Sequence, residues 1–254
     1  MCVPTPKFSE LLAQLTHRLP ECRQMKWPIS PTPLAGEIVV LKPLAREHLE
    51  ELFEAARPPE IWQWWPFNPA VDKERFAQWL TEALTAAETG TALHFVTLDA
   101  TTGRAIGSTS YCTPRPDHGG LEIGWTWLTP SAWRTGANAE AKLLQLTHAF
   151  ERLGCHRVEF ETDERNERSR RALMALPAHF EGVLRDWKVL PTGRWRSSAI
   201  FSILRREWPT TQANLTRRVS QALTRRDTHP AARSHEAVRV GRDSVVDRPV
   251  PPVS

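Results

Sequence analysis

The sequence predicts one mixed α/β domain: a largely antiparallel, twisted sheet of about seven strands flanked by about four helices. Three observations lead there. Between residues 34 and 210, stretches of two-residue alternation are interleaved with stretches whose apolar residues recur every three or four positions. The order of these stretches is β-α-α-β-β-β-α-β-α-β-β, with three consecutive strands forming a meander. The 254 residues are 41% hydrophobic and 24% charged, a balance that excludes wholesale disorder.

The elements follow in chain order. Residues 37–42, Glu-Ile-Val-Val-Leu-Lys, read as a strand. A helix over 45–56 turns Leu49, Leu52, Phe53 and Ala56 inward and stops before Pro58. Asp72 caps a second helix over 73–89, whose Phe76, Trp79, Leu80, Ala83, Leu84 and Ala87 keep helical spacing. Strands near 92–98, 104–111 and 120–128 are joined by turns at Asp99–Gly103 and Pro114–Gly120. A third helix, 137–153, carries Leu143, Leu146, Phe150 and Leu153 on one side and ends at Gly154, where a left-handed cap belongs. Strand 157–162 follows, then a short helix capped by Asn166 and ending near Pro177. Strands 178–189 and 195–205, joined around Thr192-Gly193, close the pattern.

The ends differ in character. Residues 1–33 read as an extension, with a short helix over 10–19 capped by Ser9 and a linker at Pro28, Pro31 and Pro33. The domain is assigned to 34–210. Residues 211–254 hold eight arginines against four acids and repeat Leu-Thr-Arg-Arg at 215–218 and 223–226; a short basic helix is conceivable, but a disordered basic tail is the expectation. The charge of +4 therefore belongs to the ends, since 34–210 has 21 basic and 23 acidic residues. A nucleic-acid partner is expected, if anywhere, only through that tail. No apolar run reaches the roughly 20 residues of a membrane span, and no secretory signal is visible. Cys2, Cys22, Cys112 and Cys155 lack metal-ligand or disulfide-framework spacing, and His94, His148, His156 and His179 form no triad pattern, so neither a metal nor a disulfide is expected. A cytoplasmic setting is the default; monomer and homodimer both stay open.

Trp133-Arg134-Thr135-Gly136-Ala137-Asn138-Ala139-Glu140 leads from a strand into the third helix. A glycine turn there exposes unpaired N–H groups at the positive end of the helix dipole, a seat for a pyrophosphate. It is neither a P-loop nor a dinucleotide fingerprint. With Ala105-Ile106-Gly107-Ser108-Thr109, Leu121 to Leu128, Arg165-Asn166-Glu167-Arg168-Ser169 through Leu173, Phe180-Glu181-Gly182-Val183-Leu184-Arg185 and Glu207-Trp208-Pro209, this loop resembles the GNAT superfamily of acetyl-CoA-dependent N-acetyltransferases. The nearest likeness is to the ribosomal-protein N-terminal acetyltransferase (RimJ/RimL) type. It extends over about 34–209.

The resemblance implies that the fourth and fifth strands splay apart around the pantetheine arm of acetyl-CoA. It implies the pyrophosphate loop at Arg134, Thr135, Gly136, Ala137, Asn138 and Ala139. It implies an oxyanion hole from backbone N–H groups near Trp127, Leu128 and Thr129, and contact of Asn166 with the pantetheine arm or a capping role for it. Asn166 and Ser169 match the Asn-x-x-Ser of the RimL type, which makes Ser169 the candidate acid for thiolate departure. The sequence departs from the pattern at Asn138, usually glycine or alanine, at Leu173, where many members have a tyrosine, at Pro177, usually glycine, and at Lys188, where a glutamate is expected.

Glu122 is then the best candidate base, because acyl transfer to an amine requires the amine's proton to be taken up. Alternation along the strand sets Leu121, Ile123, Trp125 and Trp127 against Glu122, Gly124 and Thr126, and the alternative reading is a solvated strand carboxylate. Ser169 reads equally as a first-turn helix residue. Trp62, Trp64, Trp65 and Phe67 between the first two helices either pack over the sheet or line the acceptor pocket. The function implied is acetyl transfer to a primary amine, a protein N-terminus or a small amine, in a ternary complex. The alternative is an impaired CoA-binding or regulatory module whose basic tail docks an acidic partner.

Overall fold

The computed structural model describes residues 25–228. The helix expected over 10–19 and residues 229–254 lie outside them. The strands are β1 (Leu34–Ala35), β2 (Val39–Pro43), β3 (Ala92–Asp99), β4 (Ala105–Arg115), β5 (Gly120–Leu128), β6 (Arg157–Asp163), β7 (His179–Val189) and β8 (Trp195–Leu204). The α-helices are α1 (Leu49–Ala56), α2 (Lys73–Glu88), α3 (Ala137–Thr147), α4 (Glu167–Met174) and α5 (Trp208–Thr228). The strands form one sheet in the order β1-β2-β3-β4-β5-β6-β8-β7, antiparallel throughout except for β5 and β6. The eighth strand, two-residue β1, is too short to leave a period in the sequence.

Each face of the sheet has its own core. On one, Leu52 and Ala56 of α1 and Phe76, Trp79 and Leu80 of α2 pack over Val96, Ala105 and Trp127. On the other, Leu146 of α3 and Leu215, Val219 and Ala222 of α5 pack with Phe95, Tyr111, Leu121, Ile123, Val158 and Phe201. Local chemistry fixes the helix ends. Asp72 accepts from Arg75 N–H at 2.8 Å, and Asn166 accepts from Ser169 N–H at 3.0 Å. Beyond α3 the chain continues as a π-turn segment, His148–Leu153, ending at Gly154 with φ +82°.

The boundary expected at 210 is wrong. Residues 208–228 form a 21-residue helix, not a disordered tail, and Trp208, Leu215, Val219 and Ala222 are buried at helical spacing. Its arginines lie on the outer side: Arg218 donates to Ala175 O at 2.7 Å, and Arg226 approaches Asp99 at 3.9 Å. The charge count outweighed a four-residue apolar stripe, and the stripe decides the structure, since each buried aliphatic side chain contributes about 1.5–3 kcal/mol. The linker also packs: Met25 is buried, Lys26 N–H donates to Leu153 O, and Trp27 Nε1–H donates to Gly90 O.

Candidate active site

The site begins where two strands part. β5 and β6 pair in parallel only at Gly120–Arg157, Leu121–Val158 and Glu122–Glu159. Among the described residues, beyond Glu122 β6 pairs with β8 alone and the β6-side edge of Ile123–Leu128 has no partner strand. β5 also carries an irregularity. Trp125 has φ +49°, and the register with β4 slips between Ser108 and Ser110. The slip overturns the simple alternation expected along this strand. Leu121 and Ile123 face the α3 side, but Thr126 now joins them there, while Trp127 turns to the α1–α2 side with Trp62. Trp125 stands out from the strand, 41% exposed, against Trp65.

Glu122 is the last paired residue before the opening. An added Cβ at Gly124 would lie 2.7 Å from Glu122 Oε1, so glycine is what admits the carboxylate. Thr113 Oγ1–H donates to Glu122 Oε2 at 3.3 Å. Burial, and then the Glu161 carboxylate, push the Glu122 carboxyl up to about 7, against the pull of Lys188 and the Thr113 hydroxyl. Its neighbours are paired with cations. Glu159 meets Arg115 and Arg157, Asp163 meets Arg194 at 2.9 Å, and Glu161 accepts from Lys188 Nζ at 2.8 and 3.0 Å and from Ser198 at 2.9 Å. Among the described residues Glu122 is the member of this row without an ion pair. Lys188, found where a glutamate was expected, is thus held by a carboxylate from β6.

The loop into α3 lies at the far end of the same opening. Arg134 (φ +64°) and Gly136 (φ +95°) are left-handed, and Thr135 Oγ1–H donates to Ala132 O at 2.8 Å. Ala137 and Ala139 point into the core, Asn138 is half-buried and Arg134 is exposed. The first helical bond is Glu140 N–H to Gly136 O, so the amides of Ala137 to Ala139 precede the ladder. Ala137 N–H has only a 3.4 Å contact with Thr135 Oγ1. An added Cβ at Gly136 would meet Ala222 at 2.5 Å and Ile38 at 2.9 Å, so close packing of α5, together with the positive φ, requires this glycine. Arg168 lies 4.0 Å above the Trp133 ring, tying the start of α4 to this loop. Asn166 caps α4, and Ser169, half-buried in its first turn, supplies the capped N–H. Of the three expected oxyanion donors, Thr129 N–H is already bound to Ile106 O at 2.8 Å.

The aromatic candidates divide. Trp62 is core: it is buried, its Nε1–H donates to Ala56 O, and its ring lies 5.4 Å from that of Trp127. Trp65 is the hub, 4.8 Å from Trp62, 5.2 Å from Trp125 and 6.4 Å from Phe67. Phe67 and Trp125 form the outer edge of this wall, while half-buried Trp64 makes no ring contact with it.

Sequence reasoning missed Trp125, Glu140 and Lys142. Glu140, 4% exposed, accepts from Glu37 N–H at 3.0 Å, Ile38 N–H at 2.6 Å and Val39 N–H at 2.7 Å, and so fixes the β1–β2 turn to α3. Lys142 is buried against β4 and β5. The available signal was positional: both charges interrupt the alanine and leucine run of the most regular helix.

An acetyltransferase (GNAT) domain model matches residues 39–178. An uncharacterized N-acetyltransferase, p20, of Bacillus licheniformis is 25% identical over 175 residues, 69% of this chain and 97% of that protein. The structure of a GCN5-related N-acetyltransferase from Brucella melitensis is 30% identical, with a TM-score of 0.71, over 76% of this chain and 88% of that one. A ribosomal-protein-S5-alanine acetyltransferase from Vibrio fischeri shares the fold at 19% identity, with a TM-score of 0.59, over 70% and 98% of the two chains. The splayed strands, the loop at the start of α3 and these matches converge: the chain belongs to the GNAT family and is an N-acetyltransferase.

Proposed function

We propose that the protein transfers the acetyl group of acetyl-CoA to a primary amine, by direct attack within a ternary complex, with Glu122 as the base. The observation that carries this reading is the position of Glu122. It is an unpaired carboxylate, raised to about 7, at the point where β5 loses its partner strand. A group titrating near neutrality is half in the accepting form at working pH and holds a proton well enough to take it from an ammonium or a bridging water.

The fold fits the co-substrate on its own terms. The open edge of β5 offers main-chain partners to the pantetheine amides, and the amides of Ala137, Asn138 and Ala139 with Arg134 suit a pyrophosphate at a helix N-terminus. Acetyl-CoA supplies the activated acyl group as a thioester. The chain's part is to hold the amine in line and to place donors where charge develops. With Thr129 N–H bound to Ile106 O and Trp127 paired with Ser108 across the β4–β5 ladder, the oxyanion role falls to the N–H of Leu128, which faces the open edge. Ser169, at the start of α4, is assigned the proton for the departing thiolate, following its match to the RimL type. Trp65, Phe67 and Trp125, the last of these being three residues along β5 from Glu122, are assigned the acceptor wall, with Trp62 and Trp127 behind them and Trp64 at its margin.

The acceptor class is a protein N-terminus or a small amine. Thiol release from acetyl-CoA, followed across a panel of peptides and amines, tests the reading. Acceptor-dependent release supports it. Tight CoA binding with no turnover of any acceptor contradicts it and leaves a binding module.

A further inference from the structure

Lys142 is 4% exposed on the inner face of α3, and its Nζ donates to Thr126 Oγ1 at 2.9 Å, Thr109 Oγ1 at 3.1 Å and Gln145 Oε1 at 3.1 Å. Three neutral oxygens match the three N–H bonds of an ammonium, and among the described residues no carboxylate bonds to it. The titratable groups packed around it are uncharged at neutral pH. Burial pushes the Tyr111 phenol and the Cys112 thiol of β4 up, and pushes His148, the first residue after α3 and also near Arg152, down. On α3 itself, the Glu140 carboxylate is taken up by three main-chain amides at 37–39. On β5, Glu122 lies on the opposite face of the strand from Thr126. Among the described residues the ammonium therefore has neutral acceptors and no ion-pair partner. Burying it is expensive, and a methionine would pack in the same volume at less expense.

The cation is aimed at one place. The irregularity at Trp125 turns Thr126 toward α3, and Thr126 is the residue through which Lys142 reaches β5. Its neighbours Trp125 and Trp127 belong to the edge that β6 abandons. We propose that Lys142 supplies a positive charge, held in place by its three oxygen partners behind β5, facing the negative charge that develops on the acetyl carbonyl oxygen and on the departing sulfur along the opened edge. This rests on the acetyl-transfer reading above. Lys142 touches neither co-substrate nor acceptor; it is a supporting group that acts through the field it sets across the strand.

Burial pushes the ammonium down to about 7, so the charge should be lost as pH rises, and turnover should fall on the alkaline side. Lys142→Met tests this in the full chain, using the acceptor that the wild type turns over best. The expected result is melting at or above the wild-type temperature, acetyl-CoA Kd within about twofold, kcat at least about tenfold lower, and no alkaline limb. A kcat and pH profile matching the wild type would overturn the proposal. If Lys142→Met does not fold, Thr126→Val serves. It removes one of the three acceptors at constant volume and should move the alkaline limb to lower pH; an unmoved limb overturns the proposal equally. A wild-type protein that turns over no acceptor refutes the acetyl-transfer reading itself, a result distinct from active enzyme indifferent to position 142.

Discussion

Glu122, the proposed base, differs from the structural carboxylates around it chiefly in lacking a cation among the described residues. Glu159, Glu161 and Asp163 lie on the neighbouring strand in similar surroundings, but each has a cation within 3 Å. Glu122 has a threonine hydroxyl and the repulsion of Glu161 instead. Replacing Glu161 by glutamine removes that repulsion and releases Lys188, so both changes favour ionised Glu122. The acid limb of the rate profile should move to lower pH, read from kcat/KM between pH 5 and 9. Stability gives a second check. Because the folded pKa lies above the ordinary 4.5, the carboxyl's favourable contribution is complete below pH 4.5 and is lost as pH rises through about 7. Glu122→Gln should therefore melt higher than the wild type at pH 8 and the same at pH 4.5. The choice of Glu122 was legible from its residue type, its strand and the glycine two places on. Its missing cation was not, because that depends on which partners β6 and β7 bring to its neighbours.

At the scale of elements, the loop into α3 serves two masters. Gly136 is held by the crossing of α5, so Gly136→Val should destabilise the fold by about 2 kcal/mol or more and does not isolate ligand binding. Asn138 does. Asn138→Asp places a carboxylate in the first turn of α3, where the helix dipole favours it by about 0.3–1 kcal/mol, and the same charge repels a pyrophosphate. Calorimetry should show acetyl-CoA affinity lower by at least about tenfold while the melting temperature holds or rises. Equal affinity would remove the pyrophosphate from this loop. Caps at Asp72, Asn166 and Gly154 were readable because each acts within four residues. The slip at Trp125 was not, since it follows from register against β4, and it is what reassigns Thr126 and Trp127 to their faces.

The whole molecule is larger than its patterned centre. A fragment ending at residue 210 loses Leu215, Val219 and Ala222 and bares the α3 face they cover. It should be insoluble or molten, whereas residues 25–228 should melt like the full chain. Leu215→Ala alone should remove about 2–5 kcal/mol in denaturant unfolding. The domain order was legible throughout 34–205 because hydrophobic period reports burial directly. The last helix was hidden by its arginines, which dominate composition but only coat one side.

We assign the uptake of the acceptor's proton during acetyl transfer to Glu122, which has no ion-pair partner among the described residues and sits at the parting of β5 and β6. The most direct test is acceptor-dependent thiol release by wild type and Glu122→Gln from pH 5.5 to 9. Wild-type kcat/KM should show an acid limb with an inflection near 7, and the variant should be slower by about 100-fold or more, with that acid limb gone and acetyl-CoA affinity unchanged. A variant with wild-type rates and the same inflection would contradict it.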